Sequence, residues 1–214
     1  MILLPACGGT SPATRGPERV GGTVQRLDGS ALTVETSTGS VRVHLSPSTA
    51  VDTVVATDRA HITDGSFLGV GSVTAPDGSQ RAVEITVFPE AMRGTGEGSY
   101  AWNRPGVDGG GRMTNGSAGS LRMTNGTASG SRMTNGTVAQ AGRSTLTLTY
   151  KHGASRDSQT LTIPSDIPIV ALEPARSADL RPGVHVLVFA DRDSRGELIA
   201  ERVLAGKNGL VPPM

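Results

Sequence analysis

The sequence repeats itself at a nearly constant offset. Gly22-Thr23-Val24 returns as Gly136-Thr137-Val138, and Leu32-Thr33-Val34-Glu35 as Leu146-Thr147-Leu148-Thr149, both 114 residues further on. Asp64-Gly65 then answers Pro182-Gly183, Gly78 answers Gly196, and Ala82 and Ile85 answer Ala200 and Val203, at 118 residues. An offset held on both sides of one small slip predicts two related units whose loops differ in length. Each spans roughly 70 residues, close to the smallest size that buries a useful core alone.

Composition narrows the class. The 214-residue chain carries 29 Gly, 36% hydrophobic and only 3% aromatic residues. Val and Thr suit a pleated, half-buried surface, and Gly with Pro punctuates turns. No long Ala/Leu/Glu/Lys run has a 3.6 period, so little helix is expected. A formal net charge of +1 with interspersed signs argues against a nucleic-acid surface, which needs clustered Lys and Arg.

Period-2 alternation predicts strands over 20–27, 31–36, 41–45, 51–56, 67–73 and 81–88, with a helical turn within 57–64 and a hairpin around Pro76-Asp77-Gly78. The second unit is expected to repeat this over 137–140, 144–150, 159–163, 167–172, 184–191 and 198–205, with its helical turn at 177–180. The predicted fold is all-β: two tandem OB-like barrels of five to six strands, at 20–88 and 136–206. Residues 1–19 read as a lipobox remnant and tether, 89–135 as a Gly-rich linker, and 207–214 as a tail. The linker repeats Arg-Met-Thr-Asn-Gly at Arg112, Arg122 and Arg132, and the third repeat runs into the second unit's first strand. With so few other apolar residues, the extra repeats are not expected to build a core.

The segment Val87-Phe88-Pro89-Glu90-Ala91-Met92-Arg93-Gly94-Thr95-Gly96-Glu97-Gly98, then Met133-Thr134-Asn135, then Gly206-Lys207-Asn208-Gly209-Leu210-Val211-Pro212-Pro213-Met214 resembles small bacterial exported proteins built from OB-like domains of unknown function. Such sequences are sometimes labelled metal ABC transporter permease. The resemblance covers about 20–214 and implies fold and export, without an activity or site residues. The threefold Met-Thr-Asn-Gly departs from the single copy expected. No run reaches the roughly 18 apolar residues of a spanning helix, which sets the permease label aside.

Near the amino terminus, Leu3-Leu4-Pro5-Ala6-Cys7 resembles a bacterial lipobox, so Cys7 is the expected lipidation site. The basic and most of the apolar signal regions are missing, and the start codon is expected to lie upstream. The other reading is an ordinary cysteine in a cytosolic protein. The expected location is the cell envelope, facing the periplasm, with membrane attachment only through lipid. Cys7 is the one cysteine, which excludes an internal disulfide or a cysteine-based zinc site.

Catalytic chemistry finds little support. A nucleophile needs an adjacent base, yet no G-x-S-x-G elbow occurs and His44, His61, His152 and His185 share no ligand-like or dyad spacing. Gly94-Thr95-Gly96-Glu97-Gly98 lacks the strand–loop–helix setting and Lys of a phosphate loop. Asp191, Asp193 and Glu197 read as a solvated turn rather than a calcium site. The expected role is therefore a non-enzymatic envelope module that binds an unknown protein or ligand, without cofactor or nucleic acid. Tyr100 and Trp102 fall on one side of an extended segment and are the candidate partner contact or interdomain anchor. A soft-metal alternative uses Met92, Met113, Met123 and Met133 with His44 or His61, because thioethers select Cu(I). The three repeat methionines lie ten residues apart, wider than copper-binding tracts use.

Overall fold

Alternating Val, Thr and polar residues between glycine turns form strands over most of the chain. The computed structural model describes residues 17–101 and 131–213. Cys7, Trp102, Met113 and Met123 lie outside the described residues. The strands are β1 (Glu18–Asp28), β2 (Ala31–Thr36), β3 (Gly39–Ala56), β4 (Phe67–Thr74), β5 (Gln80–Val87) and β6 (Gly98–Ala101). After the undescribed segment come β7 (Ser131–Ala141), β8 (Thr145–His152), β9 (Ser155–Thr162), β10 (Ile169–Pro174), β11 (His185–Arg192) and β12 (Leu198–Gly206). Three-residue 3-10 turns at Arg59–His61 and Ser177–Asp179 occupy the positions where a helical turn is predicted. The strands predicted at 41–45 and 51–56 are one continuous strand, β3.

Two closed rings result. β1 pairs with β2 and β2 with β3. β12 joins β3 in parallel and pairs with β11, which returns to β1. This closed five-stranded ring with one parallel contact is an OB-like barrel. In the second ring β7 pairs with β8 and β8 with β9. β5 joins β9 in parallel and pairs with β4, which returns to β7.

The expectation placed each barrel inside one continuous segment, 20–88 or 136–206. The pairing instead runs across the segments. Each barrel takes three strands from one half of the chain and its closing hairpin from the other, β11–β12 for the first and β4–β5 for the second. Two strands also enter the 89–135 stretch expected as linker. β6 and the start of β7 pair there, with Tyr100 opposite Met133, because Met133, Thr134 and Asn135 of the third repeat are buried.

The two rings share one register. Val203 pairs with Val51 on β3 and Ile85 with Ile169 on β10, and both residues of the second pair lie 118 positions from their counterparts in the first. β3 and β10 run antiparallel to each other between the rings, and Val54 faces Leu172, its own counterpart at that offset. A pseudo-twofold axis therefore passes through this pair.

Packing follows the same symmetry. Val24, Leu32, Val34, Val43, Val186, Val188 and Val203 fill the first barrel. Val138, Leu146, Leu148, Leu161, Leu68, Val70 and Ile85 fill the second. A third cluster on the axis, Val54, Val170, Leu172, Leu187 and Leu204, joins the barrels, with Phe88, Met92 and Phe189 packed against it. Each fully buried aliphatic side chain contributes about 1.5–3 kcal/mol, so this cluster is comparable in weight to part of a barrel core.

The recurring Gly-Thr-Val has a packing reason. A Cβ on Gly22 would overlap the Glu35 carbonyl oxygen, and one on Gly136 would lie 2.5 Å from the Thr149 carbonyl oxygen. Each strand shifts register just beyond that point, between Val24 and Arg26 and between Val138 and Gln140. Glycine lets the first strand coil tightly over the second. Gly22→Ala and Gly136→Ala should each cost about 1–3 kcal/mol by overpacking, measured by chemical unfolding. An unchanged midpoint in both would contradict this reading.

Candidate functional site

The exchange of hairpins leaves a cleft of about 490 Å³ beside the pseudo-twofold axis. One wall comes from Leu172 on β10, Phe189 on β11, and Arg202 and Leu204 on β12. The other comes from Gly69 on β4, Phe88 beyond β5, Met92 in the Glu90–Met92 turn, Tyr100 on β6, and Met133 and Asn135 on β7. Pro17, Arg19, Thr95, Gly96 and Glu201 complete the lining. Strand alternation brings these side chains to one side, so the surface is mostly aromatic, aliphatic and thioether.

Asn135 organises the polar end. Its Nδ2 donates to the Gly96 carbonyl oxygen at 3.1 Å and to the Tyr100 hydroxyl oxygen at 3.2 Å. A carbonyl can only accept, so this contact fixes which way the amide points. Oδ1 is thereby turned toward Gly69, where a Cβ would lie 2.8 Å away, and it has no hydrogen-bond partner. Burial pushes the Tyr100 phenol up from its ordinary pKa, opposed by the Arg19 charge and the Asn135 hydrogen bond. The Arg19 guanidinium stands over the Phe189 ring, 5.7 Å from its centroid.

Arg202, also in the lining, pairs with the buried Asp52 carboxylate through Nη1. The same nitrogen donates to Met92 Sδ at 3.6 Å. This pair joins β12 to β3.

Of the residues singled out in sequence, Tyr100, Met92 and Met133 meet in this cleft. The histidines each contact a different neighbour: His44 lies 3.9 Å from Glu197, His61 bonds Asp58 at 3.0 Å, His152 bonds Asp157 at 2.7 Å, and His185 bonds Thr23 at 3.1 Å. Asp193 spends its carboxylate on the turn, accepting from the Arg195 and Glu197 amides at 2.8 and 2.9 Å. Those bonds lower its pKa. No three His, Cys, Asp or Glu side chains form a metal-holding group among the described residues. Sequence reading missed Asn135, Phe88, Phe189, Gly69 and the Asp52–Arg202 pair. The repeated Met-Thr-Asn-Gly was the available signal for Asn135, whereas the others meet only because the hairpins exchange.

No protein-family model, curated protein or solved structure matches the chain.

Proposed function

We propose that the chain is a non-enzymatic binding module of the bacterial cell envelope, lipid-anchored through Cys7, and that the cleft between its barrels is the binding site. The observation that carries the binding role is the cleft itself. Its size falls within the roughly 300–1,000 Å³ of small-molecule sites, and its apolar walls with one organised polar end are what such sites use. Met92 and Met133 suit a site that adapts to its occupant. The lipobox-like Leu3–Cys7 and the resemblance to exported proteins support the location. The common register of the two rings supports descent by duplication.

An apolar fluorescent probe such as N-phenyl-1-naphthylamine should brighten on binding the protein, and Gly69→Phe, whose side chain would push the lining Asn135 and Phe88 from their places, should abolish the signal. Undiminished brightening in that variant, with the fold intact by circular dichroism, would place binding elsewhere. For the anchor, the protein purified from its own host should carry a diacylglyceryl cysteine, and Cys7→Ala should release it from membranes. Retention of an unmodified residue 7 would reject it.

The soft-metal alternative gains from Met92 and Met133 sharing the cleft. Against it, the Arg202 guanidinium already occupies the Met92 thioether and sets a cation beside any bound ion.

A further inference from the structure

We infer that the surface between the first half of the chain, residues 17–101, and the second, residues 131–213, is a selective docking face: each half takes the other as partner and refuses a second copy of itself. Neither half completes a ring alone, because β1 needs β11, β3 needs β12, β4 needs β7 and β5 needs β9. The backbone does not choose between partners. β12 meets β3 and β5 meets β10 in equivalent parallel registers, with Leu204 opposite Asp52 and Thr86 opposite Val170. Two first halves, or two second halves, would find the same strand pairings.

Side chains make the choice. Asp52 on β3 is held by Arg202 on β12. The position equivalent to Arg202 in the first half is Glu84, and that equivalent to Asp52 in the second half is Val170, each 118 residues away and each buried. A pair of first halves would therefore offer each Asp52 a carboxylate in place of a guanidinium. A pair of second halves would offer each Arg202 a valine, which accepts no hydrogen bond. Only the mixed pair joins the buried acid to a base, and removing one partner of such a pair is strongly destabilising. Wrong partners are thus refused by the groups they leave unmatched.

Full-length protein carrying a specific protease site between residues 102 and 130 tests this. It is purified folded, cut, unfolded in urea and refolded by dilution, and the pairings are counted by native mass spectrometry, since the halves differ in mass. The cut protein should stay one particle before urea is added. After refolding, mixed pairs should exceed homotypic ones by at least about a hundredfold. Asp52→Val with Arg202→Met removes both groups, so the excess should fall to about tenfold or less, with the fold of the uncut variant confirmed by circular dichroism. Homotypic pairs at near-statistical abundance in the parent, or halves that part on cutting, would overturn the inference without reference to the variant. An excess as large in the folded variant as in the parent would overturn it too.

Discussion

Leu148→Ala, in the core of the second barrel, should destabilise the first barrel as well. Leu148 is wholly buried, and emptying such a site costs about 2–5 kcal/mol. In a chain of two independent barrels, amide protection of β2 would be indifferent to that loss. Here the second barrel holds β4 and β5, which follow β3 of the first, while β11 and β12 close the first barrel from the far end of the chain. If the second barrel opened alone, the first would have to close across a loop of some 130 residues, at an entropic cost of about 4 kcal/mol. It would also lose the axial cluster around Val54 and Leu172. Partial unfolding is therefore unfavourable and the barrels should unfold as one unit. Hydrogen exchange followed by mass spectrometry should show residues 31–36 losing protection in Leu148→Ala by the same free energy as residues 145–152. Loss confined to 145–152 would mean separate units.

Arg202→Met is expected to cost about 3 kcal/mol, the lower end for removing one partner of a buried ion pair. Asp52 is 6% exposed and would lose its hydrogen-bonded counter-ion in a site largely closed to water. The lower end applies because the Arg202 side chain retains 28% exposure, so water reaches the site. The position related to Asp52 by the axis is Val170, an apolar residue in the same cluster. Asp52→Val combined with Arg202→Met should therefore recover stability to within about 1 kcal/mol of the parent, since well-packed apolar replacements of buried pairs are often neutral. A double-mutant cycle by chemical unfolding measures this. Additive losses would show that the pair contributes more than mutual neutralisation.

Much of the fold is legible in the sequence. Val41, Val43 and Leu45 alternating with Arg42 and His44 give a strand with one wet face. Gly29, Gly78 and Gly196 adopt positive φ at turns where such residues are expected. What alternation cannot encode is the partner. Val186 and Leu68 occupy equivalent places, opposite Gly22 and Gly136 respectively, and periodicity reads the same whichever hairpin closes the ring. Because the cleft arises from that exchange, Phe88 and Phe189 carry no local sign of sharing it. Tyr100 was legible as an aromatic in a segment poor in apolar residues. Asn135 was hidden because Asn-Gly usually signals a turn, whereas here it lies inside β7 with its side chain bridging to Gly96.

The exchange itself can be read by one cross-link. Val24 N–H donates to the Val184 carbonyl oxygen at 2.8 Å, and next to it Thr23 on β1 faces His185 on β11, with Thr23 Oγ1 3.1 Å from His185 Nδ1. Side chains this close across antiparallel strands suit a disulfide. In a Cys7→Ala background, Thr23→Cys with His185→Cys should oxidise to an intramolecular disulfide in the folded monomer, seen as a faster-migrating band without reductant. Were each barrel closed by its own hairpin, Thr23 would instead face Phe67, the residue 118 positions before His185. Cross-linking of Thr23→Cys with Phe67→Cys, and none with His185→Cys, would contradict the exchanged fold.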